Sequence, residues 1–370
     1  MKKILLCCLA LLVVGLVSLG LWIQGGSSKP GNTAKTALDD TPFRTYEAVV
    51  PDSPLKLTHF ISEANEINVS SSLIVGENEM IVVATQGTKY ASERLADEIE
   101  KMGKKLTYVY LGHAHLDHSQ GARILKDRFP DAKFIAEPKV AALQQLRMTD
   151  DDARAVKRFG DNAAVPSLPF EAYDHDVLML EGREIQLWHD QYGDVGIGHE
   201  DEPHTVVYIP DLKALLPNDI AYYRAHMMMG GSTKASRAIW KQQLRDYMKM
   251  DLQVVIPGHL PRSQSADMTP SAVLEHSLTY IEAYETALEG SESSDEVIEK
   301  MLEKYPGMEH TSALFLGTYM NFVETHRLLF NPRLEKVMSW FPSSFVQWFD
   351  HTMWEKKKVT QNLPHDHEHI

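Results

Sequence analysis

Three histidines and one aspartate fall within six residues of the chain, in the segment HAHLDH at residues 113–118. His113 and His115 are two residues apart, so in an extended backbone their rings point the same way. Asp117 and His118 follow where the chain turns, so they can face a second point a few ångströms away. Imidazole and carboxylate groups suit Zn²⁺ best, and they also bind iron and manganese. The spacing therefore predicts a metal site rather than a polar turn whose histidines cap a helix.

The sequence on either side places this segment at the end of a strand. Residues 106–111 (LTYVYL) form an apolar, β-rich run, Gly112 breaks the pattern, and residues 122–129 carry apolar side chains at helical spacing. In α/β sheets the carboxyl ends of strands are where ligands bind. We therefore predict a strand, a metal-binding turn and a helix in that order.

The segment resembles the H-x-H-x-D-H signature of the metallo-β-lactamase-fold hydrolases. Candidates for that family's remaining ligands follow downstream, at His199 after a glycine, at Asp219 after a strand, and at His259 in a Gly-His turn. The resemblance covers about residues 60–265. It implies that one metal is held by His113, His115 and His199, and a second by Asp117, His118 and His259, with Asp219 bridging the two.

The third histidine of the first metal has competitors in the same stretch. His199 follows a glycine and precedes the predicted strand 205–210, as the family's ligand does, with one extra residue between. His189 and His204 lie in the same window. His204 directly abuts the strand, so we expect it to face solvent or to support the ligands. The sequence favours His199, in a loop that residues 200–202 (EDE) make very acidic.

Two further positions bear on the substrate and on the support of the site. Tyr222, three residues after Asp219, resembles a tyrosine of the acyl-homoserine-lactone lactonase branch, whose hydroxyl contacts the substrate; simple packing beside Tyr223 is the alternative. The β-lactamase branch tends to have a lysine at that offset. Ala84 ends the second predicted strand, where the family usually has an aspartate that braces the metal loop.

The fold that the resemblance implies is an α/β protein, the four-layer αββα metallo-β-lactamase sandwich, with a C-terminal helical extension. A helix is predicted over residues 138–148, and the polar, proline-containing stretch 149–176 is predicted as a long lid or binding loop. The isolated histidines His276, His310 and His326 are interpreted as structural. We assign residues 46–290 to the catalytic domain, 291–357 to the helical extension and 358–370 to a polar, His-rich tail.

The N-terminal sequence predicts export. Two lysines precede the apolar residues 4–23, a pattern typical of a secretory signal. The run is also long enough to cross a bilayer as one helix of about 20 residues. Cleaved or kept as an anchor, residues 1–24 predict a periplasmic or membrane-anchored protein of the cell envelope, with residues 25–45 as a linker. Both cysteines, Cys7 and Cys8, lie in the leader, so the exported part has no thiolate for a metal.

The composition fits a globular protein with a small-molecule substrate. The chain has 370 residues, of which 44% are hydrophobic and 24% charged, and its formal net charge is −14. Such a surface repels phosphate backbones, which argues against a nucleic-acid partner. Composition leaves the oligomeric state open.

The resemblance implies metal-assisted hydrolysis of a lactone or other ester with two zinc ions per chain, although iron or manganese also suits the ligands. A hydroxide held near Asp117 and Asp219 would attack the carbonyl, with Tyr222 as a hydrogen-bond donor. A β-lactam is the alternative substrate. The alternatives of another class are an iron-dependent redox enzyme and a metal-binding envelope protein without catalysis.

Overall fold

The computed structural model describes residues 44–196, 202–261 and 268–322. The predicted leader, His199 and the segment beyond residue 322 lie outside these ranges. Within them the chain forms two β-sheets flanked by helices. No helix of the described ranges is both long and apolar enough to cross a membrane.

The first sheet carries the metal-binding turn. Its seven described strands pair in chain order: β1 Tyr46–Glu47, β2 Lys56–Ile61, β3 Ser70–Val75, β4 Glu79–Val83, β5 Lys105–Leu111, β6 Lys133–Ala136 and β7 Glu171–Ala172. Strands β1 to β4 are antiparallel, and β4 to β7 are parallel. Because parallel strands end at the same edge, the turns after β4, β5 and β6 lie side by side.

The parallel half of this sheet needs crossover connections, which helices supply. These helices are α1 Lys89–Met102, the single turn α2 Leu116–Ser119, α3 Ala122–Arg128 and α4 Pro138–Phe159. Helix α1 begins after Thr88, whose side chain accepts a hydrogen bond from the Ala91 amide, and it ends at Gly103, whose φ is 63°. The ends of the connection between β4 and β5 are therefore fixed by the sequence itself.

The second sheet supplies the other side of the site. Its five described strands lie in the order β12-β11-β10-β9-β8, with β8 Val177–Leu180, β9 Arg183–Gln191, β10 His204–Ile209, β11 Ala214–Tyr222 and β12 Val254–His259. Only the β11–β12 pair is parallel among these strands, and helix α5 Lys234–Tyr247 connects them. Helices α6 Pro270–Glu289, α7 Ser294–Lys304 and α8 Thr311–Asn321 follow.

The first sheet is buried on both faces, with helices against one face and the second sheet against the other. Along β4, Met80 and Val82 pack in a cluster with α1, whereas Ile81 and Val83 pack in a second cluster with the strands of the other sheet. Residues that alternate along a strand point to opposite faces, so each face meets a different layer. The predicted α/β fold with two sheets and outer helices is confirmed.

One sequence-based boundary was wrong, the end of the helix predicted over residues 138–148. Helix α4 continues to Phe159, so the first part of the predicted loop 149–176 is helical. Inside it, Asp151 forms ion pairs with Arg147 four residues earlier and with Arg154 three residues later, which stabilises the helix through the acidic run. Helices α7 and α8 pack in the same hydrophobic cluster as β11 and β12, so they continue the core of the second sheet.

Candidate metal centre

The turn after β5 brings its polar side chains onto the end of the second sheet. Segment 113–118 follows directly on Leu111 and Gly112, Asp219 lies within β11, and His259 is the last residue of β12. The structure brings together every predicted site residue of the described ranges: His113, His115, Asp117, His118, Asp219, Tyr222 and His259.

One group of potential ligands forms around His113 and His115. Their ring nitrogens and carboxylate oxygens of Asp194 and Asp219 all lie within 4.8 Å of one another, and all four residues are buried. His115 Nδ1 is 3.4 Å from Asp194 Oδ2 and 3.8 Å from Asp219 Oδ2. His113 Nε2 is 3.4 Å from Asp219 Oδ2. The arrangement offers two nitrogens and two carboxylates to a single ion.

A second group consists of Asp117, His118 and His259. The Nε2 atoms of His118 and His259 are 3.4 Å apart, and His259 Nε2 is 3.4 Å from Asp117 Oδ2. Asp219 contacts this group as well, because its Oδ1 is 3.1 Å from His118 Nε2 and its Oδ2 is 3.2 Å from His259 Nε2. The Asp219 carboxylate therefore lies between the two groups.

The hydrogen bonds of two histidines fix which nitrogen faces inward. His259 Nδ1 is 2.8 Å from the Ile67 carbonyl oxygen, which only accepts, so Nδ1 carries a proton and Nε2 is the nitrogen left to face the group. His115 Nε2 lies 3.2 Å from the Glu202 carboxylate, so Nε2–H donates and Nδ1 is the nitrogen left to face the group. Each imidazole thus offers a ligand atom to its group, which is the orientation that metal-binding histidines take.

Several buried atoms of the centre have no hydrogen-bond partner among the described residues. They are both ring nitrogens of His113, Nδ1 of His118, Oδ1 of Asp194 and Oδ1 of Asp219. Leaving such groups unpaired in a protein interior is costly, and a cation between clustered acceptors removes that cost. The nitrogen and oxygen atoms of the two groups therefore fit two metal ions as their ligands.

The pKa shifts agree with this reading. Burial lowers the pKa of His113 to about 3, despite the nearby Asp219, so its imidazole is neutral as a ligand must be. Burial raises the pKa of Asp194 well above its usual range, although His115 opposes the shift. Burial also disfavours the His259 cation, but the Asp219 and Asp117 carboxylates raise the pKa of His259 to about 9. Without a metal, these groups need protons to balance their charges.

The backbone beside Asp219 leaves no room for a larger residue. A Cβ atom on Gly258 would lie 1.8 Å from Asp219 Oδ1, so the close approach of β12 requires glycine. Asn218 stands where the family commonly has glycine, and its φ is 50°, a conformation that asparagine tolerates. Its side-chain amide donates to the Thr205 carbonyl at 2.9 Å. The departure at Asn218 therefore ties β11 to β10.

Thr85 supports the metal-binding turn where the family usually has an aspartate one position earlier. Ala84, with a φ of 68°, has no carboxylate, but the next residue contacts the metal-binding turn. The Thr85 amide donates to the His118 carbonyl at 2.7 Å, and the Thr85 hydroxyl donates to the same oxygen at 3.0 Å. Thr85 thus holds the backbone of His118 from the end of β4.

Tyr222 contacts the carboxylates of the centre. Its ring is fully buried and stacks on His259 with 5.1 Å between ring centroids. Its hydroxyl is 3.0 Å from Asp194 Oδ2 and 3.1 Å from Asp219 Oδ2, and it can donate to one of them at a time. Burial, with these carboxylates, raises the pKa of Tyr222 well above its usual value, so the hydroxyl keeps its proton.

His189 and His204, the alternatives to His199 as third ligand, both hydrogen-bond to protein atoms near the centre. His204 is fully buried, stacks on His113 at 4.7 Å, and its Nε2 donates to the Asp194 carbonyl at 2.8 Å, which excludes the solvent-facing alternative. The His189 ring hydrogen-bonds to Thr205 Oγ1 and the His175 carbonyl. Neither finding decides the third ligand, because His199 lies outside the described residues.

Three residues of the centre escaped the sequence analysis. Asp194 and Glu202 are single acidic residues in loops, although the acidic run at 200–202 was a signal for the second. His310, interpreted above as structural, stacks on His259 at 4.4 Å and on Tyr222 at 6.1 Å between ring centroids. Nothing in its sequence neighbourhood marks it, because α8 brings it to the site only through the tertiary fold.

Comparison with known proteins gives a family. The sequence profile described as the metallo-beta-lactamase superfamily matches residues 64–259, just over half of the chain. No curated protein matches the chain.

Solved structures align with the chain at low sequence identity. A beta-lactamase domain protein from Burkholderia ambifaria aligns with a TM-score of 0.50 and 14% identity, over 75% of this chain and 89% of its own. The DIM-1 metallo-beta-lactamase exposed to ceftazidime aligns with a TM-score of 0.45 and 18% identity, over 66% and 99% of the two chains. A metallo-beta-lactamase from Pontibacter korlensis gives 0.45 and 12%, over 65% and 99%. With the profile match and the two ligand groups, the chain belongs to the metallo-β-lactamase superfamily and is a metal-dependent hydrolase.

Proposed function

We propose that the chain is a dinuclear-zinc hydrolase that acts on a small carbonyl substrate, a lactone or another ester. The observation that carries the proposal is the pair of ligand groups joined by the Asp219 carboxylate. In this proposal one ion is held by His113, His115 and His199, the other by Asp117, His118 and His259, and Asp219 bridges them.

When bound, the two ions supply a hydroxide at neutral pH and polarise the substrate carbonyl. The chain's own residues orient this chemistry. The His115 and His259 rings are held by Glu202 and the Ile67 carbonyl, so their lone pairs stay aimed at the centre. The Asp117 and His115 side chains are 14% and 11% exposed whereas those of His118 and His259 are 1% exposed, so in this proposal the substrate approaches from the side of Asp117 and His115.

Tyr222 is the proposed hydrogen-bond donor to the leaving oxygen. Its hydroxyl reaches the substrate by giving up its bond to Asp194 or Asp219, both about equally close. Because burial keeps this phenol protonated, it remains a donor throughout the working pH range. A tyrosine here, rather than the lysine of the β-lactamase branch, favours a lactone or ester over a β-lactam.

The test is turnover by the zinc-loaded full-length chain on a panel of lactones, esters and β-lactams. We expect hydrolysis of lactones or esters that stops on chelation and returns with zinc. Asp219→Asn should abolish it, whereas Asp211→Asn, which changes a partly buried carboxylate paired with Arg183, should not. Two tightly bound zinc ions without turnover would favour a non-catalytic metal-binding protein. A single iron, with oxygen consumed on a thiol substrate, would favour redox chemistry.

We further propose that residues 4–23 direct the chain to the cell envelope. The support is the pair of lysines before an uninterrupted apolar run. Cell fractionation, together with the mass of the mature chain, tests this proposal. A cytoplasmic, full-mass protein would contradict it.

A further inference from the structure

The first ligand group contains a carboxylate that the family's pattern does not predict. Asp194 lies between β9 and β10, is 1% exposed, and has one oxygen within 3.4 Å of His115 Nδ1. Its other oxygen, Oδ1, is buried and accepts no hydrogen bond from any described residue. A buried carboxylate oxygen without a donor is rare in folded proteins and needs a physical reason.

The position of Asp194 is fixed by the fold. Its carbonyl oxygen accepts a hydrogen bond from His204 Nε2 at 2.8 Å, and His204 in turn stacks on His113. A Cβ atom on the preceding Gly193 would lie 2.8 Å from the His204 ring, so this loop packs directly on that ring. The carboxylate is therefore held against His113 and His115 by its own backbone.

The atoms that face one another here can all serve as metal ligands. Because His115 Nε2 faces Glu202, Nδ1 is the nitrogen that faces Asp194 Oδ2, at 3.4 Å. Asp219 Oδ2 lies 3.8 Å from the same nitrogen. These three atoms converge on one buried point, where protons or a metal cation must balance them, and the Tyr222 hydroxyl can donate to only one of the two carboxylates at a time.

We infer that Asp194 is itself a ligand of the first metal ion, in addition to His113 and His115. This inference rests on the proposed dinuclear centre and changes its chemistry. Asp117, Asp194 and Asp219 would offset three of the four positive charges of two divalent ions. A site with more carboxylate oxygen also favours harder ions, so Mn²⁺ and Fe²⁺ compete with zinc better than at a three-histidine site.

The experiment compares metal binding by the full-length wild type, Asp194→Asn and the control Asp211→Asn. Zinc per chain is measured by elemental analysis, zinc affinity by competition with a chelator, and ligand geometry by the visible spectrum of the Co²⁺-loaded protein. Losing a residue that only supports a ligand costs about 10–100-fold in metal affinity. For Asp194→Asn we expect one ion to bind at least about 100-fold more weakly, with a changed Co²⁺ spectrum, and no change in the control.

Two zinc ions bound by Asp194→Asn with wild-type affinity and spectrum would overturn the inference and leave the proposed function standing. A wild type that binds no metal would instead overturn both. Should Asp194→Asn fail to fold, as judged by thermal unfolding, Asp194→Glu replaces it, because that variant keeps the carboxylate. We expect two ions and an altered Co²⁺ spectrum from Asp194→Glu, and an unaltered spectrum would contradict the inference.

Discussion

Replacing Glu202 with glutamine should weaken metal binding, although Glu202 belongs to neither ligand group. The Glu202 side chain is completely buried and accepts from the Gly196 amide at 2.7 Å, from Arg147 Nη1 at 3.1 Å and from His115 Nε2 at 3.2 Å. Its interaction with His115 and Arg147 holds the pKa of Glu202 well below its usual range, against the effect of burial. A full carboxylate therefore satisfies three buried donors at once.

The magnitude follows from those contacts. The amide of glutamine has one accepting oxygen and an NH₂ group that must face one of the three donors, so one buried donor loses its partner. Removing a carboxylate that orients a ligand histidine costs about 10–100-fold in metal affinity, or roughly 1.4–2.7 kcal/mol. Breaking the buried Arg147 ion pair costs about 3 kcal/mol of unfolding free energy, at the low end because Asp151 Oδ2 remains 3.8 Å from Arg147 Nε.

Zinc affinity of the wild type and Glu202→Gln, measured by competition with a chelator, tests this prediction, with urea unfolding as the second readout. The matched control is Glu285→Gln on α6, which also loses a carboxylate paired with two cations, Arg237 and Lys241. We expect Glu285→Gln to keep wild-type zinc affinity. A zinc affinity of Glu202→Gln within about threefold of the wild type would refute the reasoning that Glu202 orients His115.

Three further predictions concern other parts of the centre and the core. His310→Ala should leave two zinc ions per chain but change kcat or KM on the substrate panel. The reason is that His310 contacts His259 and Tyr222 without belonging to either ligand group. Unchanged kinetics would show that the His310 ring only packs against them. Thr85→Val should lower the unfolding free energy by about 1 kcal/mol, as measured by urea unfolding, because it removes a buried hydrogen bond to the His118 carbonyl. An unchanged urea midpoint would argue against a stabilising role for this hydrogen bond. Burial, with Arg44 nearby, lowers the pKa of His59 to about 4, below the value of the unfolded chain, so the unfolded state binds more protons between pH 4 and about 6.5. The unfolding free energy of the metal-free protein should therefore fall as the pH drops through that window, by up to about 1.4 kcal/mol per pH unit from this group, and His59→Gln should reduce the slope; equal slopes in the two proteins would contradict the assignment.

Local signals in the sequence were enough to predict the strand, the turn and the helix around residues 113–118. The segment at 113–118 was predicted to follow a strand because alternating apolar residues, Gly112 and a helical pattern come in order. Asp219 and His259 were found because the resemblance supplied their order along the chain. The structure brings these residues together at the ends of β5, β11 and β12.

Residues that acquire their surroundings only through the tertiary fold were not predicted. Asp194 and His310 stand alone in loops, with no period and no motif around them, yet the structure places both against the ligand groups. Helix α4 was predicted too short, because the acidic run resembles a loop until its ion pairs with Arg147 and Arg154 are seen. The contacts of Asp194 and His310 depend on which helices and loops meet in the folded chain, which the local sequence does not show.

The most direct test of the central claim is anomalous diffraction at the zinc edge from crystals of the zinc-loaded protein. For a dinuclear centre we expect two zinc peaks, about 3.5–4 Å apart as in two-metal sites. One should lie among His113, His115, Asp194 and Asp219, and the other among Asp117, His118 and His259. No zinc at these groups, or a single ion outside them, would contradict the dinuclear centre.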